Sequence, residues 1–123
     1  MAAVIEKILR DVREPGSSII SPTRFASVMH IEMQALANAA GVHRNTLSGN
    51  PGSARLQDRI LDILRVVGAL SESTGADEPD AIYWIKNRPL REFESKTPLE
   101  LIAEGKVKSV LHYIESVESG YVG

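Results

Sequence analysis

Three histidines, sixteen acidic residues, fourteen basic residues and no cysteine are the groups with which this 123-residue chain could do chemistry. His30, His43 and His112 stand on separate segments with no H-x-x-H or H-E-x-x-H spacing, and no glycine-rich loop is placed to cradle a phosphate. Neither a metal site nor a cofactor is expected. The acid pairs Asp58/Asp62 and Glu115/Glu118 fall at helical spacing, where a solvated face is commoner than a catalytic pair. Without cysteine, a disulfide framework, a thiolate zinc site and a cysteine nucleophile are excluded. The chain reads as a binding protein rather than an enzyme, suited to a reducing cytoplasm.

The densest run of hydrogen-bonding side chains is His43-Arg44-Asn45-Thr46-Leu47-Ser48, just past Gly41. From Gln34 to Ser48 the layout is that of a helix-turn-helix. Leu36 and Ala37 lie inside the first helix, Gly41 supplies the positive φ of the turn, Val42 plugs the core and Leu47 packs the second helix. The positions left to read bases or phosphates are Gln34, His43, Arg44, Asn45, Thr46, Ser48 and, further on, Arg55. Charge limits such a role. Residues 1–75 carry 8 Lys/Arg against 7 Asp/Glu and residues 76–123 carry 6 against 9, so neither half has the basic footprint of a strong nucleic-acid binder. Between Ile20 and Ile60 the cations are Arg24, Arg44, Arg55 and Arg59, so DNA contact is expected to need a homodimer or a local patch.

The elements that must position these groups are helices. Apolar residues recur at helical spacing almost throughout, and no run alternates as a half-buried strand does, so an all-α fold is expected. Val4, Ile5, Ile8, Leu9 and Val12 form a leading stripe stopped at Pro15-Gly16, and Ser21-Pro22 caps a second helix with Phe25, Val28 and Met29 inward. Asn50-Pro51-Gly52 breaks the chain before Ser53 caps the longest helix, through Leu56, Ile60, Ile63, Leu64, Val67 and Leu70. Thr74 to Pro79 reads as the one plausible linker, dividing a domain over 1–75 from a module over 76–123. Then come a short helix with Ala81, Ile82, Trp84 and Ile85, a polar loop from Asn87 to Lys96, a helix capped at Thr97-Pro98, and a final amphipathic helix with Val107, Val110, Leu111, Ile114 and Val117. No run approaches the roughly 18 to 20 apolar residues of a membrane span, and the charged N-terminus MAAVIEKILRDVREP argues against a signal peptide.

Residues 81–123 carry the most specific pattern: Trp84 and Pro89, then Phe93, then Lys96-Thr97-Pro98-Leu99-Glu100-Leu101-Ile102, then Gly105, Val110, Leu111, and a closing Gly120-Tyr121-Val122-Gly123. Over some 43 residues this run resembles the toxin-binding domain of the Xre/MbcA/ParS antitoxin family. Residues Gln34 to Ser48 resemble the Xre-type helix-turn-helix that precedes it. The resemblance implies a helix-turn-helix bundle followed by a small helical toxin-binding module, and a partner that is a RES-domain toxin, an ADP-ribosyltransferase-like enzyme that degrades NAD. It also implies that the C-terminus, here Gly120, Tyr121, Val122 and Gly123, lies at the toxin's NAD pocket and blocks it, and that the chain represses its own operon. The loop from Arg88 to Ser95 is more charged than the family's usual one, which makes Arg88 and Arg91 further candidates for toxin contact. Trp84, Leu101 and Leu111 are expected mainly as core. A stand-alone transcriptional regulator whose C-terminal helices dimerise it is the alternative.

Overall fold

The chain folds as α1 (Ala3–Val12), α2 (Pro22–Met29), α3 (Met33–Ala40), α4 (Thr46–Gly49), α5 (Ala54–Thr74), α6 (Glu78–Asn87), a 3₁₀ turn at Arg91–Phe93, α7 (Pro98–Ala103) and α8 (Val107–Glu118). The computed structural model describes residues 3–118. Among them there is no strand, only isolated bridges pairing Arg13 with Ile20 and Leu90 with Lys96, so the fold is all-α as expected. Gly120, Tyr121, Val122, Gly123 and the side chain of Val117 lie outside the described residues.

Side-chain caps fix where the helices begin. The Ser21 hydroxyl accepts from the Arg24 amide with Pro22 next in the chain, Ser53 accepts from Leu56, and Thr97 accepts from Glu100. At α7 the Glu100 carboxylate also accepts from the Thr97 amide at 2.8 Å, which completes a reciprocal capping box. Gly41 stops α3 at φ 69°, in the left-handed region.

Helix α5 is the spine. Leu56, Ile60, Ile63, Leu64, Val66, Val67 and Leu70 are buried along it, and it packs against α1, α3, α6, α7 and α8. Each such side chain withdrawn from water contributes about 1.5–3 kcal/mol before entropy is counted, so α5 carries more burial than any other element. The buried side chains form one cluster, from Ile5, Phe25 and Leu36 to Leu90, Ile102 and Ile114. Gln57, on α5, pins the loop between α1 and α2: its amide nitrogen donates to the Ile20 and Pro51 carbonyls and its oxygen accepts from the Ile20 amide.

Three sequence expectations change. The stretch Thr74 to Pro79 is not a free linker, because Asp77 accepts from the Asp80 amide at 3.0 Å and starts α6 at Glu78, leaving only Gly75 to Asp77 between helices. The loop from Asn87 to Lys96 is not polar throughout: Leu90 is fully buried, and its amide and carbonyl bond to Lys96 and Ser95 respectively. The expected second helix of a helix-turn-helix is a single turn, Thr46–Gly49, so His43, Arg44 and Asn45 stand in the turn ahead of it. Gly41, Gly49 and the breaker Asn50-Pro51-Gly52 lie too close together to leave room for more.

Candidate functional site

Two surfaces gather the residues singled out from the sequence. On the first, α2, α3 and the α3–α4 turn enclose an open groove of about 550 Å³ whose lining includes Thr23, Ser27, Glu32, Gln34 and Arg44. Gln34 and Arg44 are thus brought together. The other candidates are engaged locally: the His43 ring Nδ1 accepts the Asn45 amide at 3.1 Å, the Ser48 hydroxyl donates to the Asn45 carbonyl at 3.5 Å, and the Gln34 amide nitrogen donates to Asn38 at 3.0 Å. Thr46 is half-buried as the first residue of α4. Arg55 faces elsewhere. Its guanidinium lies across Gly41, where an added Cβ would come within 3.6 Å of Nη2, and it lines a separate pocket with Asp58, Arg59 and Asp62. A recognition helix reads several base edges from its first turns. Here one helical turn and a preceding loop offer Arg44 as the principal cation.

On the second surface, aromatic rings converge at the end of the molecule built by α6, the 3₁₀ turn and α8. Trp84 and Tyr113 have ring centroids 6.3 Å apart and tilted by 31°, and Phe93 meets Tyr113 edge-on at 6.4 Å. All three rings are half-buried, whereas Tyr83 is 69% exposed. Rings arranged so present rigid apolar area together with polar handles, the composition of interface anchors. Beside them a pocket of about 430 Å³ is lined by Glu92, Phe93, Lys108, His112 and Tyr113. Arg88 and Arg91 are exposed on the same connection, Arg88 ending α6 with its amide on the Trp84 carbonyl and Arg91 opening the 3₁₀ turn.

Leu101 is buried as core, Leu111 is half-buried, and Trp84 is part core and part surface. Sequence reasoning missed Tyr113, which joins the other two rings. The signal was there: Tyr113 sits three residues after Val110 and one before Ile114, at the edge of the apolar stripe of α8.

Two lysines tie α6 to the N-terminal helices. Lys7 of α1 donates to Glu78 of α6 at 2.7 Å, and this hydrogen bond is the main reason its ammonium is held above the ordinary lysine range. Lys86 reaches from α6 to the His30 carbonyl at 2.6 Å. Among the described residues no three His, Asp or Glu side chains are grouped to hold a metal ion, and no helix is long and apolar enough to cross a membrane.

No family model matches the sequence, and neither does any curated protein. Among solved structures, a chain of the crystal structure of the M. tuberculosis MbcT-MbcA toxin–antitoxin complex has the same fold. The TM-score is 0.60 at 18% identity, over 84% of this chain and 95% of that one.

Proposed function

We propose that this chain is an antitoxin that binds a RES-domain, NAD-degrading toxin and closes its active site with the C-terminal residues Gly120, Tyr121, Val122 and Gly123. The observation that carries the reading is the likeness of fold, over nearly the whole of both chains, to a chain of a toxin–antitoxin complex. The sequence run from Trp84 through Thr97-Pro98 to Gly123 supports it independently. The exposed Tyr83 and the Trp84–Tyr113–Phe93 cluster supply the anchor such an interface needs, with Arg88 and Arg91 at its rim. Inhibition of this kind is binding and not catalysis, and it takes place in the cytoplasm with the toxin.

Operator binding is the second part of the proposal. It is placed on the groove that brings Gln34 and Arg44 together, with His43, Asn45, Thr46 and Ser48 on the adjoining turn and α4, while Arg55 stands apart across Gly41. With so few cations per chain, affinity for phosphates depends on two copies acting together, so the DNA-binding form is a homodimer.

The test is co-expression with a RES-domain partner, followed by co-purification and an assay of NAD consumption, for the full chain and for a variant lacking Tyr121 to Gly123. The full chain is expected to co-purify and to suppress NAD loss. The shortened chain is expected to co-purify while NAD loss returns. Full inhibition by the shortened chain would remove the blocking role of the tail, and failure of the full chain to co-purify would remove the antitoxin reading.

A further inference from the structure

The pocket of about 430 Å³ beside the aromatic rings has two walls: Glu92 and Phe93 of the 3₁₀ turn, and a stripe of α8 that runs from Lys108 through His112 and Tyr113 to Ser116. Those α8 residues share one helix face, and the same spacing carried on past Ser116 arrives at Ser119 and Gly120 in the sequence. A chain that leaves the helix there leaves it on the pocket's side. Tyr113 lies five positions before Glu118, about 7–8 Å back along the helix axis. Tyr121 lies three positions after Glu118, and three extended residues span about 10 Å, enough to bring the ring back over Tyr113. A glycine reverses the chain after a helix without steric cost, and Gly120 stands where that reversal is needed.

The lining suits a tyrosine in particular. Phe93 and Tyr113 are half-buried and meet edge-on at 6.4 Å, and a third ring joins such a pair in an edge-on or offset arrangement. Glu92 and Lys108 are exposed, and among the described residues neither side chain has a hydrogen-bond or ion-pair partner. A phenol hydroxyl donates to a carboxylate and accepts from an ammonium, so a tyrosine meets both charges as well as both rings. An aliphatic side chain would leave the charges unused, and an acidic one would face Glu92. Tyr121 is the one aromatic residue in the sequence beyond α8.

We propose that in the free chain Tyr121 folds back into this pocket, its ring against Phe93 and Tyr113 and its hydroxyl toward Glu92 and Lys108, so that the tail is held on the chain's own surface until a partner takes the aromatic end. The proposal rests on the tail reading above only for its purpose. A toxin that seats on the aromatic end displaces Tyr121 from the pocket, and docking itself then releases the segment that closes the toxin's site. A tail held in this way is also kept from other surfaces while no toxin is present.

Nuclear magnetic resonance of the isotope-labelled full chain, with no partner present, tests it. Nuclear Overhauser contacts are expected from the Tyr121 ring to the side chains of Phe93 and Tyr113. Tyr121→Ala is expected to shift the signals of Phe93 and His112, to leave those of Leu36 and Ile60 in place, and to speed amide exchange at Val122 at least about tenfold. Phe93→Ala, with circular dichroism to check its helix content, is expected to speed the same exchange at least about threefold. Absence of the contacts, or Val122 exchange that Tyr121→Ala leaves unchanged, overturns the seat. Contacts and protection that vanish when the chain is diluted about a hundredfold identify the tail of a second copy as the occupant and overturn it likewise. No toxin takes part, so a failure here leaves the closing role of the tail standing, and a failure of that role in the NAD assay leaves the seat standing.

Discussion

Helices α3 and α7 are both short and pack against each other, yet they are held in opposite ways. Helix α7 starts on a complete capping box, Thr97 with Glu100, preceded in the chain by Lys96, which is ion-paired to Glu104. Helix α3 starts at Glu32, whose side chain makes no capping bond although its backbone, at φ −75° and ψ 150°, has the geometry of a cap. The chain enters α3 through His30, a non-glycine residue at φ 55°, whose carbonyl is held by Lys86 from fifty-six positions away. A left-handed L-residue costs about 1–2 kcal/mol, which distant contacts must offset. The difference teaches that α7 is specified by its own sequence, whereas α3 is specified by what packs around Leu36, Ala37 and Ala40.

That contrast can be broken most forcefully at the core. Leu36→Ala is expected to cost about 2–5 kcal/mol of stability in chemical denaturation, because α3 has little else to hold it and Leu36 is fully buried. A loss below about 1 kcal/mol would mean that α3 is held by its own sequence after all. The caps sharpen the comparison with a change of sign. Thr97→Ala is expected to destabilise by about 1 kcal/mol, while Glu32→Ser is expected to stabilise by up to about 1 kcal/mol by adding the missing cap. Equal and opposite shifts in melting temperature support the account, and a neutral Glu32→Ser would contradict it.

The smallest effect concerns the ion pair that joins the two ends of α7, Lys96 before it and Glu104 at its close. The hydrogen bond from Lys96 at 2.7 Å, aided by Lys106, lowers the Glu104 carboxyl, and the same bond raises Lys96. A lowered carboxylate contributes stability that is present above its unfolded value and lost as pH falls through its folded value. A raised lysine contributes stability that is present below its unfolded value and lost as pH rises through its folded value. Between the carboxylate and lysine ranges both contributions are present. Because both groups are solvated, Glu104→Gln is expected to lower the melting temperature by less than about 2 °C at pH 7 and by less still at pH 3. A larger shift at pH 3 than at pH 7 would reverse the assignment.

What was legible in the sequence follows the same division. Caps written in adjacent residues, at Ser21-Pro22, Ser53 and Thr97-Pro98, and the turn at Gly41 were readable because each is a local hydrogen-bond or steric requirement. The cap at Asp77 was hidden inside a run that also reads as a linker, and Leu90 was hidden because one apolar residue among charges carries no period. The truncation of α4 was not legible from periodicity, which is blind in a four-residue helix. Of the candidate site, Trp84 and the arginines were found. Their gathering with Phe93 and Tyr113 depends on how α6 and α8 both pack on α5, which no short window encodes.

The sharing of α5 between the two halves bears on how the molecule opens. Its backbone amides near Ile63 to Val67 sit where side chains from both ends of the chain meet, so exchanging them with deuterium requires the whole cluster to come apart at once. The amides of the α1–α2 connection can exchange through local opening instead. Cutting the chain between Gly75 and Asp77 would then yield not two folded pieces but two fragments, each lacking half of its interior.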